Sequence, residues 1–373
     1  MSVPILRVCP QLPAVIAFGN PLLDIIVRMK GMEAVHAVHL LNKYNLKMDG
    51  QSELSADEMH ALLEYLPQEF EQTPSPGGCA QNTLRMLQWL CGGPNEPHVG
   101  VFYGGLGKDA RGVTLEKIVR AAGVDVQYAL HPTLPTGISV NLVTDSWQTL
   151  TANLGAAGVY TLHNLHNSSL PLDTVKIIYI EGFFITHSLD VAREVVKRVK
   201  GRDVIIVFNL CGDYIFDNHL PAILEMVGIS KIVFGNAQEM KMLAFSLNIH
   251  YEDAAHIPFY LNSINKVTVS ISSSESKDWL STDGIFVMTQ GGQGPAIAVW
   301  GHGQSVQVPP IVPKAPIVDT TGAGDALVAG FLAGILARKD PKTCLEWGSK
   351  MASLIITRLG VTIPNGIQPD FLQ

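Results

Sequence analysis

Short runs of β-branched and apolar residues alternate with stretches of helical periodicity along most of this chain, and that alternation narrows its fold more than any other feature. The runs are Val99 to Tyr103, Val175 to Ile180, Val204 to Phe208, Lys231 to Phe234, Val267 to Ile271 and Ile285 to Met288. Parallel strands need a crossover between them, so strand, helix, strand in repeated order predicts a large, mainly parallel sheet sandwiched by helices. The helices are readable from their spacing. Ala80, Leu84, Leu87 and Cys91 share one face, and so do Met59, Leu62, Leu63 and Leu66 behind a capping box at Ser55 and Glu58. Ala14 to Phe18 reads as a first buried strand.

Two regions break the rhythm, about Leu22 to Pro74 and Val126 to Asn153. In the second, Gly137 to Val143 and Thr149 to Asn153 predict an antiparallel hairpin around Asp145 and Ser146. The expected α/β organisation is therefore a large nucleotide-binding domain of residues 1–21, 75–125 and 154–373, covered by a small β-sheet lid of residues 22–74 and 126–153. A lid of that kind excludes water from chemistry at the boundary.

Composition excludes several classes. Apolar residues make up 47% and charged residues 16% of the 373, against about 25% charged in soluble proteins, which rules out a disordered or coiled-coil chain. The net charge is −7 and no Lys or Arg run marks a face for nucleic acid. Five cysteines without a CxxC indicate neither a disulfide framework nor a zinc knuckle, and fit a reducing compartment. The uncharged stretch from Gly284 to Pro313 is broken by glycines and prolines, and Ala326 to Ala337 is too short to span a bilayer. Arg7 with Ala14 to Phe18 imitates a signal peptide but runs straight into Gly19-Asn20-Pro21. A cytoplasmic monomer is expected, with a nuclear location also compatible, and with neither nucleic acid nor membrane as partner.

The sharpest motif is Asp319-Thr-Thr-Gly-Ala-Gly-Asp325, expected to follow a strand at Ile317 and Val318 and to open the uncharged helical run from Ala326. Unpaired N–H groups and the positive end of the helix dipole make an anion hole there, and Gly322, Ala323 and Gly324 let a phosphoryl group approach the backbone. A carboxylate at Asp325 repels a bound phosphate, so it serves better as a general base for an attacking hydroxyl than as a binding device. The plainer alternative is that Asp325 caps the helix and the glycines serve packing.

Three further segments carry polar groups to the same kind of place. Gly78, Cys79 and Asn82, in Pro76-Gly-Gly-Cys-Ala-Gln-Asn82, precede or open a helix, where Asn82 holds ribose hydroxyls or merely caps. Asn20 and Asp24 stand at the carboxyl end of the first strand, where ligands collect in open α/β sheets, or form an Asx turn. Asn236 and Glu239 set an amide and a carboxylate three apart, suited to hydrated Mg²⁺ or to an ordinary capping box. Gly105-Leu-Gly107-Lys-Asp-Ala110 matches a dinucleotide fingerprint only loosely, and no P-loop, HExxH or GxSxG is present.

In this order, and over nearly the whole chain, the segments resemble the ribokinase-like (PfkB) sugar and nucleoside kinases. The shared pieces include Gly19-Asn-Pro-Leu-Leu-Asp24, the glycine pair with Gln81-Asn82 and Gln88-Trp89, Gly104 to Asp109, Pro135-Thr-Gly137, Phe234-Gly-Asn236 and Asp319 to Asp325. The resemblance implies a ribokinase-like fold and transfer of the γ-phosphoryl of ATP to the 5′-hydroxyl of a nucleoside, adenosine being the expected acceptor. Another nucleoside or sugar kinase, or a weakly active nucleoside-binding relative, is the alternative.

By the same resemblance Asp325 would be the base, and the backbone of Gly322, Ala323 and Gly324 would stabilise the migrating phosphoryl. Asn236 and Glu239 would organise Mg²⁺ through water. Asn20, Asp24, Gly78, Cys79 and Asn82 would hold the ribose, with Gln51, Leu150, Ala152 and Phe184 walling the base. Asn236, Thr289, Gly291 and Thr321 would serve ATP. Three departures stand out: Cys79 replaces a usual Ser, Gln148 occupies the lid position of a usual Arg, and Asn209-Leu-Cys-Gly-Asp-Tyr214 is an altered loop that adds a negative charge.

Overall fold

The computed structural model describes residues 11–364 except 30–32, 67–70, 145–146 and 266–277, together with 369 and 372. Arg7, Cys9, the hairpin tip at Asp145 and Ser146, and the expected strand Val267 to Ile271 lie outside the described residues. Fourteen described strands form two sheets. The larger runs β14-β13-β12-β11-β10-β9-β1-β5-β6, where β1 is Val15–Phe18, β5 Gly100–Gly107, β6 Asp125–His131, β9 Ile177–Glu181 and β10 Ile205–Asn209. The others are β11 Ile232–Asn236, β12 Ile285–Thr289, β13 Ala296–Trp300 and β14 Gln304–Val308. Pairing is parallel from β6 through β12 and antiparallel in β12-β13-β14.

Strand alternation explains why the central strands are apolar throughout. Val15, Ala17, Ile177, Tyr179 and Val207 enter one core, while Ile16, Phe18, Ile178, Ile180 and Phe208 enter a second core across the sheet. A strand covered by helices on both faces has no position to spend on a polar side chain. The helix Cys79–Leu90 packs on one face with helices Ala323–Leu336 and Pro341–Ile355. The helix Gly182–Val199 packs on the other.

The smaller sheet runs β3-β8-β7-β2-β4, built from β2 Leu22–Arg28, β3 Gln51–Glu53, β4 Glu71–Gly77, β7 Gly137–Val143 and β8 Gln148–Asn153. The expected hairpin is β7 with β8, antiparallel from Ile138 with Asn153 to Val143 with Gln148. Two boundaries fall elsewhere than expected. β6 extends the large sheet, and β4 carries the small sheet to Gly77, directly before the helix that starts at Cys79. Ile317 and Val318 form no strand. Instead Val318 donates its N–H to the Ile356 carbonyl at 2.8 Å, which ties the segment to the end of a helix. No helix among the described residues is long and apolar enough to cross a membrane.

In the large sheet the order of connection reverses between β1 and β9: β5 and β6 lie on one side of β1, and β9 to β12 on the other. The carboxyl ends of two strands with diverging connections leave a crevice. Gly19, Asn20 and Glu181 stand at its floor.

Candidate active site

A cavity of about 340 Å³ opens at this crevice, between the carboxyl edge of the large sheet and the small sheet. Glu181, at the end of β9, sets its floor. One carboxylate oxygen accepts the Asn20 N–H at 2.6 Å and the other accepts the Ala80 N–H at 2.7 Å. Burial pushes its pKa up to about 8 despite those two bonds. Gly78 makes the close approach possible. It has φ of +89°, and a Cβ there would lie 2.3 Å from the Asn20 carbonyl oxygen.

Asn20 donates its side-chain amide to the Phe183 carbonyl at 2.9 Å, and its buried Oδ1 has no partner among the described residues. Asp24 accepts the Ser139 hydroxyl at 2.6 Å across the β2–β7 pair. Gln51 Oε1 is the second buried acceptor in the wall without a partner among the described residues. Unpaired buried acceptors are costly, so each is a place where a ligand donor is favoured.

On the opposite wall Gly322 adopts the left-handed conformation at φ of +76° and starts the helix Ala323–Leu336. A Cβ at Gly322 would stand 2.4 Å from Val361, so the loop can close only with glycine. Asp319 braces the loop, accepting the N–H of Thr321 at 2.8 Å and that of Gly360 at 2.8 Å. The Ala323 N–H turns back to the Thr320 carbonyl at 3.2 Å and is not free for an anion. The N–H groups of Gly324 and Asp325 have no acceptor among the described residues, and a Cβ on Gly324 would meet open space. The open N–H groups of this helix start are therefore those of Gly324 and Asp325, not that of Ala323.

Asp325 is 7% exposed. Burial pushes its carboxyl up to about 7, opposed by hydrogen bonds from Cys79 and Asn82 and reinforced by Asp24 nearby. The Asn82 amide stands 3.5 Å from its Oδ2. Contact with Cys211 and burial hold the Cys79 thiol well above its usual range, so Cys79 stays a donor to this carboxylate.

Sixteen of the eighteen residues singled out from the sequence line the cavity: Asn20, Asp24, Gln51, Gly78, Cys79, Asn82, Leu150, Ala152, Asn236, Glu239, Thr289, Thr321, Gly322, Ala323, Gly324 and Asp325. Phe184 and Gly291 are absent from that wall. Phe184 is fully buried between Phe18 and Tyr160 in the core. Its neighbour Phe183 lines the cavity instead, stacked on Tyr214 with centroids 5.7 Å apart. Gly291 lies in the turn beyond β12 with nothing near its α-carbon side.

Asn236 and Glu239 form the full capping box. Glu239 accepts the Asn236 N–H at 2.8 Å and its side-chain amide at 2.9 Å, while Asn236 Oδ1 accepts the Glu239 N–H at 2.9 Å. Each Glu239 oxygen keeps a further lone pair, and burial pushes the carboxyl up to about 7. Sequence reasoning missed Glu181, Ser139 and Phe183. Glu181 ends an apolar strand and is the one charged residue of Ile177–Glu181, a signal that was available. The loosely matched Gly105-to-Ala110 segment is structural: Asp109 caps the helix Ala110–Ala121 and accepts the Thr136 N–H at 2.8 Å.

Residues 54–367 match the model of the pfkB family of carbohydrate kinases. The chain belongs to that family. Among curated relatives, adenosine kinase 2 of Arabidopsis thaliana is 29% identical over 359 residues, covering 95% of this chain and 96% of the relative. The adenosine kinase of Saccharomyces cerevisiae is 28% identical over 353 residues, with 94% and 96% covered. Of solved structures, Anopheles gambiae adenosine kinase in complex with P1,P4-di(adenosine-5) tetraphosphate superposes with a TM-score of 0.79 at 28% identity. It covers 93% of this chain and 96% of that one. Schistosoma mansoni adenosine kinase with 2-fluoroadenosine gives 0.79 at 25% identity, with 95% and 98% covered. For this pfkB family member, the fold expected from the sequence, a large mixed sheet with helices and a second small sheet, is the fold observed.

Proposed function

We propose that this pfkB family kinase transfers the γ-phosphoryl of ATP to the 5′-hydroxyl of adenosine, giving AMP and ADP. One observation carries the reading: a buried carboxylate, Asp325, adjoins open helix N–H groups on one wall, while unpartnered acceptors face the same cavity from the other. The near full-length likeness to adenosine kinases supports the choice of acceptor.

The ribose binds on the Asn20 and Asp24 side. Asn20 Oδ1 and the Asp24 carboxylate accept its secondary hydroxyls, and Asn82 contributes its amide. The base lies between Phe183, Leu150 and Ala152, where Gln51 Oε1 accepts from the exocyclic amine. The 5′-hydroxyl then faces Asp325, which takes its proton as the oxygen attacks the γ-phosphorus. The bond to the β,γ-bridging oxygen breaks and ADP leaves with that electron pair. The N–H groups of Gly324 and Asp325 hold charge developing on the phosphoryl oxygens. The small sheet acts as the lid, excluding water that would otherwise accept the phosphoryl.

The Asn236 and Glu239 donor set is all oxygen and faces the cavity, and the free lone pairs on Glu239 fit the waters of a hydrated Mg²⁺. Mg²⁺ bound with ATP would neutralise phosphate charge there. Thr289, which pairs with Asn236 across β11 and β12, and Thr321 also line the cavity and would serve ATP. The test is to incubate the protein with adenosine, ATP and Mg²⁺ and follow AMP by chromatography. AMP formation supports the reading, and adenosine binding without AMP favours a nucleoside-binding protein. The second outcome has one structural motive: among the described residues no Lys or Arg lines the cavity.

A further inference from the structure

Five carboxylates, Asp24, Glu181, Glu239, Asp319 and Asp325, are buried among the described residues, and Arg85 is the only cation buried with them. Arg85 is 6% exposed and lies one helical turn beyond Asn82. Among the described residues it forms no ion pair within salt-bridge distance. Nη1 donates to Asn82 Oδ1 at 3.0 Å, and both Nη1 and Nη2 reach the Val361 carbonyl at 3.3 Å. Its Nε is buried without a partner among the described residues.

Burying an unpaired guanidinium is expensive and must be offset by something the fold gains. The position shows two gains. Accepting from Arg85 fixes which end of the Asn82 amide is oxygen, so Nδ2 is the end that faces Asp325. The bonds to Val361 hold the segment whose side chain seats against Gly322. One side chain thus joins the nucleoside wall to the phosphate cradle.

We propose that Arg85 is a positioning residue of this kinase: its fork aims the Asn82 amide at Asp325 and holds Val361 behind Gly322, and its charge acts on Asp24 from behind the ribose wall. The inference rests on the adenosine-kinase reading and extends it to a group that lines no part of the cavity. Asp24 is faced by Ser139 from β7, Arg85 from the helix Cys79–Leu90, Asp319 from the segment before the cradle and Asp325 from the helix Ala323–Leu336. Arg85 is faced by Asp24, Asn82 and Tyr128 of β6. Burial pushes the Asp24 carboxyl up to about 7, against the Ser139 bond and the Arg85 charge. Without that charge the carboxyl moves higher.

The experiment measures KM for adenosine and kcat from pH 6 to 9 for wild type, Arg85→Gln and Arg85→Lys, with thermal unfolding as a check of folding. The account predicts that Arg85→Gln moves the pH inflection of KM upward and raises KM roughly five- to tenfold at pH 7, converging with wild type at high pH. Arg85→Lys keeps the charge, so its inflection stays while kcat falls because the fork to Asn82 and Val361 is gone. A KM ratio constant across pH, or Arg85→Gln within twofold of wild type throughout, overturns the proposal. If Arg85→Gln does not fold, Arg85→Lys decides alone: a moved inflection or an unchanged kcat overturns it. A wild-type protein that binds no adenosine sinks the functional reading instead, whereas binding with an unmoved profile removes only the role of Arg85.

Discussion

The Asn82 amide meets the Asp325 carboxylate at 3.5 Å although 243 residues separate them in the chain. The contact joins the first turns of the helices Cys79–Leu90 and Ala323–Leu336, so two glycine-led helix starts face one cavity. One brings an amide and a thiol, the other a carboxylate with open N–H groups. The general base proposed at Asp325 needs a pKa near the operating pH, and burial raises this carboxyl to about 7.

The pH dependence follows from the sign of that shift. Asp325 accepts a proton only when ionised, and Asp24 accepts ribose hydroxyls only when ionised; both carboxyls are raised to about 7. In kcat/KM, which reports the free enzyme, both protonations count, so activity falls below pH 7 by more than tenfold per unit, approaching about a hundredfold. In kcat the bound ribose already holds Asp24 ionised, so the slope approaches about tenfold per unit. Steady-state rates from pH 5.5 to 9 check both limbs, with equal slopes counting against separate roles.

Phe183 and Phe184 separate by readout. Phe183 faces the cavity and Phe184 the core. Phe183→Ala raises KM for adenosine about tenfold with little change in unfolding, since one ring face is lost to the base. Phe184→Ala costs about 3–5 kcal/mol of stability by denaturant titration.

Gln148→Arg tests the charge poverty of the site. Gln148 lies at the start of β8 and lines the cavity, which among the described residues carries carboxylates and no Lys or Arg. A cation there meets the phosphates when the small sheet closes, and kcat rises by about 10². Initial rates at saturating ATP and adenosine measure it, and an unchanged kcat means the side chain does not reach the phosphates.

Much of this site was legible because its residues sit where local chemistry is strict. Gly78 and Gly322 occupy positive-φ positions at helix starts, and Ser55 with Glu58 forms the expected capping box. The central strands were readable because apolar burial on both faces leaves an unbroken pattern. What failed depended on side-chain direction or tertiary pairing. Phe183 and Phe184 are adjacent at a helix start, where nothing in the local pattern says which ring faces inward. Ile317 and Val318 are apolar and look like a strand, yet Val318 bonds to Ile356 instead of a sheet. Ala323 reads as part of an anion hole, but its N–H is taken by Thr320 within a turn that sequence spacing does not reveal.

In the proposed reaction the Asp325 carboxylate takes the proton of the attacking hydroxyl. Single-turnover formation of AMP, with adenosine and ATP saturating, compares wild type with Asp325→Asn, which keeps the shape and removes the base. The account predicts a rate lower by about 10²–10⁴-fold, with adenosine affinity within a few-fold of wild type. A rate within threefold of wild type contradicts it.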